Sequence, residues 1–351
     1  MGKRALFPLL LAVALFTGLS ILTWKVVFKE EKKVVTLTVW ESEKSILHLP
    51  LYVALEEGYF DEQGILVRLT GGSVKAGEFS ADTGADIVLA DPAAYLYHKS
   101  LKPSLPVIVA VIASREGTFL LAREQESFDW SNLKDKSVIC FPPETGPGLW
   151  LEETLRENGL VPYHDTVLYN RIPPDLRLGA FKSGSGDYIQ LAGFDAAATE
   201  KDGTGHIVAA PGAKTSAVLP LICAAAPQTI KNKPDALQGF VNALYKAQLY
   251  MDKEPGLGQK ALAKYFKANR RAAGDILDRY TDMGMWRPRP WLEEAAFRKM
   301  TRAMEASGQL PAPVAYRDAV DNSLARRAAQ DIRYIPPEER EKSFLDKILS
   351  R

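Results

Sequence analysis

Apolar and polar positions alternate in blocks along this chain, with short Gly-, Pro- or Asp-containing breaks between them. Val34–Trp40 is rich in β-branched residues and alternates weakly, which predicts a strand. His48-Leu49-Pro50 opens a helix, with the proline in the first turn where its missing N–H costs nothing. Tyr52, Val53, Ala54 and Leu55 supply its buried side, Gly58 ends it, and Tyr59-Phe60 fold back over the end. Gly64 marks a turn before a second strand, Ile65–Thr70. The pattern then recurs: a strand at Ala85–Ala90, a helix start at Ala93–His98, a wholly apolar strand at Val107–Ala113 and an extended apolar run at Thr118–Ala122. Lys136–Phe141 predicts a strand and Gly148–Asn158 a helix closed by Gly159, and Val167–Asn170, Tyr188–Leu191 and His206–Ala210 predict further strands. From Pro227 onward the spacing is helical, over 240–252, 259–268, 271–284 and 291–308.

Strands that take turns with helices predict an α/β protein with mostly parallel sheets covered on both faces. No internal repeat or low-complexity segment is evident. Two lobes are expected: 34–122 forming lobe I, 123–214 forming lobe II, and 215–351 completing lobe I and adding C-terminal helices. The chain would cross between lobes near Arg123 and near Lys214.

The N-terminus is different in kind. Lys3 and Arg4 precede an uncharged, mostly apolar run of 20 residues, Ala5–Trp24, long enough to cross the hydrocarbon core as a helix. Residues 1–24 are therefore read as a signal-anchor or signal peptide and 25–33 as a charged linker. No cysteine follows the run to carry a lipid. Lys25, Lys29, Lys32 and Lys33 lie after it, so the count of positive residues does not itself set the orientation. A signal-like first helix inserts with its basic end inside, which predicts an extracytoplasmic body on the cytoplasmic membrane, or a periplasmic or secreted one if the segment is cleaved.

Composition narrows the chemistry. With 44 Lys+Arg against 43 Asp+Glu, the net charge of +1 gives no polyanion-binding surface and no reason to invoke nucleic acid. Cys140 and Cys223 sit in apolar runs and are expected to be buried free thiols. No CxxC or Cys/His cluster points to a metal, and no GxSxG, HExxH or GxGxxG motif points to an enzyme or a cofactor. The four histidines are scattered.

Several consecutive segments resemble the substrate-binding proteins of ABC transporters, in the branch for nitrate, sulfonate, taurine and thiamine precursors. They are HLPLYVALEEGYFDEQGILVRL (48–69), GADIVLADPAAY (84–95), VIASREGTFLLARE (111–124), the run from Ser127 to Leu160, and AFKSGSGDYIQL with ATEKDGTGHIVAA. The resemblance implies a two-lobed periplasmic-binding-protein type II fold with a ligand cleft between the lobes. It implies closure about a hinge over a small organic or anionic ligand, and delivery to an ABC permease. The pyrimidine-precursor synthases of the same superfamily carry a cysteine-rich iron site, which this chain lacks. One departure stands out: many relatives carry Phe-Glu-Pro after the lobe II strand, and Gly193-Phe194 stand where Glu-Pro would fall. That departure, with the absent lipid-anchor cysteine, keeps open a membrane-anchored sensor or scaffold without transport.

The expected cleft draws on five segments, with Asp195 as a further candidate and Glu116 among the ligand-binding residues. Trp40, at the end of the first strand, offers a ring to a planar ligand, with Ser42 beside it. His48 precedes the first helix and can hydrogen-bond a ligand. Asp91 is both an N-cap and a contact candidate. Arg115 can clamp an oxyanion, although Glu116 beside it can pair with it. Thr145 and Gly146 open a helix whose N–H groups can hold an anion or carbonyl. Asp195 is the candidate substitute for the missing glutamate. None of these is expected to be catalytic or to bind metal.

Overall fold

The computed structural model describes residues 34–42, 44–72, 84–211, 221–267 and 270–340. The expected span Ala5–Trp24 and its linker lie outside the described residues, and among the described helices none is long and apolar enough to cross a membrane.

From Val35 onward the chain forms two five-stranded sheets. The first has the order β2-β1-β3-β10-β4, from β1 (Val35–Glu41), β2 (Ile65–Gly71), β3 (Ile87–Ala90), β4 (Val107–Ala113) and β10 (Leu221–Ala225). The second has the order β7-β6-β8-β5-β9, from β5 (Thr118–Ala122), β6 (Lys136–Ile139), β7 (Thr166–Tyr169), β8 (Tyr188–Ala192) and β9 (His206–Ala209). The helices that matter below are α1 (Leu49–Glu56), α2 (Pro92–Leu101), α3 (Gly146–Glu157), α4 (Gly193–Lys201), α5 (Pro234–Lys253), α6 (Pro255–Tyr265) and α7 (Arg270–Asp282).

Neither sheet is wholly parallel. In the first, β1 runs parallel to β2 and β3, while β10 is antiparallel to both β3 and β4. In the second, β6 runs parallel to β7 and β8, while β5 is antiparallel to both β8 and β9. The antiparallel member of each sheet is the strand that enters it directly from the other sheet. Thr118–Ala122, expected to finish the first lobe, therefore belongs to the second sheet, and the crossing comes at Ser114–Gly117 rather than near Arg123. Five consecutive apolar or small buried residues predict a strand but not its partner, since either sheet would bury them. The returning strand Leu221–Ala225 escaped the sequence pattern altogether: five residues buried on both faces show no alternation. Lys214, at the second expected crossing, lies outside the described residues.

The local rules that shaped the sequence reading hold in the elements that flank the cleft. All of Leu49–Ala54 in α1 are buried, because that helix packs against α5 and α6. Gly58 (φ +69°) turns the chain out of α1, a left-handed conformation that a side chain would strain. Both cysteines are buried free thiols, and burial pushes the Cys140 thiol up to about 12.

One device recurs in both sheets. Asp86, just ahead of β3, accepts hydrogen bonds from the Thr38 N–H (2.8 Å) and hydroxyl (3.0 Å), and its own N–H donates to the Thr38 carbonyl. Asp187, just ahead of β8, does the same to Ser137, at 2.8 and 2.7 Å. Each aspartate locks the central strand of its sheet to the parallel strand beside it, β3 to β1 and β8 to β6. This places β3 and β8, and the residues that follow them, in equivalent positions.

Candidate functional site

A cavity of about 220 Å3 lies between the two sheets. Ser42, Asp91, Phe141 and Ala192 line it, and they stand at or just beyond the C-terminal ends of β1, β3, β6 and β8. Thr118 and Leu221, the first residues of the two antiparallel strands, line it too. In open α/β sheets that end is where ligands bind, because loops and helix N-termini converge there. Among the described lining residues none is a lysine or an arginine.

The first sheet contributes a buried polar group behind the wall. Glu41 Oε2 stands 2.7 Å from His48 Nδ1 and accepts a hydrogen bond from the Tyr52 hydroxyl at 2.8 Å. Burial and the Glu41 carboxylate push the Tyr52 phenol far above its ordinary range. Tyr52 also stacks on Tyr265 of α6, with ring centroids 4.4 Å apart. Glu41 and Tyr52 thereby fix the ring of His48, which lines the cavity, and leave Nε2 as the nitrogen that can meet a ligand. Ser45 holds the turn ahead of this histidine by accepting from the Leu47 N–H at 3.2 Å.

Asp91 is the charged centre of the same side. Its Oδ1 accepts the N–H groups of Ala93 (2.7 Å) and Ala94 (3.2 Å), capping α2. Its Oδ2 accepts the N–H of Gly146 at 2.7 Å, at the start of α3 on the other sheet's side. One carboxylate thus caps two helices and bridges the cleft. Burial raises its pKa, against which the three N–H donors work. A Cβ at position 146 would lie 2.7 Å from Asp91 Oδ2, so only glycine permits this approach.

The crossing segment forms the floor. Glu116 is buried and accepts from the Thr118 N–H (3.0 and 2.9 Å) and hydroxyl (2.7 Å). Burial pushes its carboxyl up to about 7, helped by the nearby Asp91 charge and opposed by the bonds from Thr118 and Gly117. Gln190 extends the chain of bonds: its Nε2 donates to Thr118 Oγ1 (2.7 Å) and to the Pro147 carbonyl (3.0 Å). The floor is thereby fastened to the start of α3.

Tyr280 of α7 closes the back. Its hydroxyl donates to the Gly117 carbonyl (2.5 Å) and accepts from the Gly193 N–H (3.1 Å). A Cβ at 193 would stand 2.6 Å from that oxygen. A glycine at 193 therefore has a physical reason: Tyr280 occupies the space a side chain would need, and its hydroxyl meets the first N–H of α4.

Of the residues expected from the sequence, Ser42, His48, Asp91, Glu116 and Gly146 come together around the cavity. Trp40, Arg115, Thr145 and Asp195 do not line it. Trp40 packs against the first sheet's core instead. Burial and the neighbouring Arg287 lower the pKa of Arg115. Thr145 is a helix cap, its Oγ1 accepting from the Gly148 N–H at 3.3 Å and donating to Pro142 O at 2.6 Å. Asp195 is exposed on α4. The sequence reading missed Thr118, Gln190 and Tyr280. A glutamine inside the apolar run Tyr188–Leu191 was a usable signal for Gln190. Tyr280 sits in an amphipathic helix far along the chain and gave none.

Comparison with known proteins agrees with this geometry. The family model described as NMT1/THI5 like matches residues 45–256. YtlA of Bacillus subtilis (strain 168), whose name describes it as a binding protein, is 29% identical over 309 residues, covering 86% of this chain and 92% of that protein. The periplasmic sulfonate-binding protein SsuA from Methylobacillus flagellatus KT superposes with a TM-score of 0.67 at 16% identity, over 85% of this chain and 94% of that one. The desulfurization enzyme DSZB superposes with a TM-score of 0.66 at 16% identity, over 85% and 100%. The two-sheet α/β architecture is that of the periplasmic binding proteins, and the chain belongs to the NMT1/THI5-like family.

Proposed function

We propose that this member of the NMT1/THI5-like family is the extracytoplasmic solute-binding component of an ABC importer, not an enzyme. It captures a small molecule between its sheets and presents the closed form to a membrane permease. The observation that carries this reading is the cavity itself. Side chains from the ends of four parallel strands, two from each sheet, enclose it, and the Gly146 N–H donates to Asp91 across it. Among the described residues the short segment Ser114–Gly117 connects the two sheets, an arrangement suited to hinge closure. The 220 Å3 volume lies below the roughly 300–1,000 Å3 of clefts that take drug-sized ligands, which favours a compact solute. Tethering by Ala5–Trp24 belongs to the same proposal.

Mass spectrometry of small molecules released from the purified, denatured chain tests the reading directly. A stoichiometric small molecule that, added back, raises the melting temperature in proportion to ln(1 + [L]/Kd) supports it. An empty protein, together with pull-down of a signalling protein instead of a permease, favours the anchored sensor or scaffold.

A further inference from the structure

Resting on the solute-binding reading, we infer that the cavity is built for a compact cation: an apolar or aromatic body carrying an ammonium head, rather than an oxyanion. Three observations converge. First, the seats where an anion would lie are taken by the chain itself. The N–H groups that open α2 and α3 converge on the Asp91 carboxylate, and the Gly148 N–H is held by Thr145. A sulfonate would have to displace Asp91 from three backbone donors, or lie against a like charge in a water-poor cleft.

Second, among the described lining residues the carboxyls are Asp91 and Glu116, none is a lysine or arginine, and the basic group is the His48 imidazole, which is bound to Glu41. Asp91 and Glu116 both face the cavity and lie close enough to sense one another, whereas Arg115 does not line it. A cation between the two carboxyls relieves their mutual repulsion and restores the charged form of each. Asp91 Oδ2 has one N–H donor and keeps acceptor capacity for an ammonium proton. Third, the remaining wall is apolar and partly aromatic. Phe141, Trp150 and Tyr280 line the cavity together with Leu89. Rings beside carboxylates suit an organic ammonium group, through apolar contact and charge-assisted hydrogen bonds. Phe141 already stacks under the Arg177 guanidinium (4.6 Å to the ring centroid) and Trp150 lies under the Lys299 ammonium (5.6 Å), so both rings sit in cation-compatible surroundings.

A matched set of probes separates charge from shape: benzylamine, benzenesulfonate and benzyl alcohol share a ring and differ in the head. Calorimetric titration of the full-length chain in detergent is expected to show benzylamine binding at least tenfold more tightly than the other two. Asp91→Ser, which keeps an N-cap acceptor and removes the charge, is expected to weaken benzylamine at least tenfold while benzenesulfonate gains affinity. Glu116→Gln provides a second variant that leaves both helix caps untouched, with the same direction for benzylamine. Tighter binding of benzenesulfonate by the unaltered chain overturns the inference and leaves the solute-binding reading standing. Equal binding of benzyl alcohol and benzylamine removes the charge argument, and no binding by any of the three rejects the stated ligand class. Failure of the underlying reading has its own signature: no small molecule is released from the purified chain.

Discussion

The two sheets carry the same strand-locking aspartate and part company five residues later. After Asp86, strand β3 delivers Asp91, whose side chain caps α2 and reaches Gly146. After Asp187, strand β8 delivers Ala192 and Gly193, which offer no side-chain cap, and the first N–H of α4 donates to the Tyr280 hydroxyl instead. The first sheet thus brings charge to the cavity: Asp91 and, behind His48, Glu41. The second brings backbone, glycine and ring surface, from Gly146, Pro147, Phe141 and Ala192. Two halves of related construction have divided the work, one selecting by charge and the other by shape.

The comparison can be broken most sharply at Gly193. Gly193→Ala forces a Cβ against the Tyr280 hydroxyl and ring, and overpacking of this kind costs about 3 kcal/mol of unfolding free energy. If Tyr280 is the reason for the glycine, the cost falls by at least 1 kcal/mol, roughly, when Gly193→Ala is placed on Tyr280→Phe, because the colliding oxygen is gone. Additive costs in the urea-denaturation cycle would show that the two residues do not constrain each other.

Next comes pH. Glu116 carries a folded-state pKa of about 7, above its ordinary 4.5, so the native state holds its proton more firmly than the unfolded chain. Its contribution to stability is complete below about 4.5 and is lost as pH rises through about 7. Glu116→Gln removes that loss. The stability of the variant relative to the unaltered chain is expected to rise between pH 4.5 and 7, by on the order of 3 kcal/mol at most. A difference that stays flat across this range, followed by thermal melts at matched ionic strength, would show that burial of Glu116 has no such consequence.

The two locking aspartates give a smaller contrast. Asp86 is additionally bound by Lys233 at 2.8 Å and by the Thr229 hydroxyl at 2.9 Å, whereas Asp187 is more exposed and its side chain is held by Ser137. Asp86→Ala is expected to cost about 2 kcal/mol and Asp187→Ala about 1 kcal/mol, since bonds to a charged group are worth more when water is further away. Equal losses in chemical denaturation would mean that the shared backbone lock, not the added partners, carries the stability.

Legibility differed across the molecule for physical reasons. Elements with a periodic pattern or a clear terminator were readable: β1, α1 with Gly58, β3 running into Asp91-Pro92, and Gly146-Pro147-Gly148 opening α3. Strands buried on both faces were not assignable to a sheet, as β5 and β10 show, because a continuous apolar run is equally satisfied by either core. Within the site, residues that flank strand ends or helix starts could be nominated from sequence: Ser42, His48, Asp91, Glu116 and Gly146. Their neighbours Trp40, Arg115, Thr145 and Asp195 qualified on the same grounds, and nothing local separates the two groups.

The sequence by itself determined the alternation of strands and helices, the caps that start and stop them, and the segments that end near a cleft. These depend on φ/ψ preferences and on contacts within a few residues. Only the tertiary structure decided which sheet owns Thr118–Ala122, that one carboxylate serves two helices, and that Tyr280, 87 positions after Gly193, fills the space beside that glycine. Those outcomes depend on distances between segments remote in the chain, and on which charges and volumes close packing brings within reach of one another.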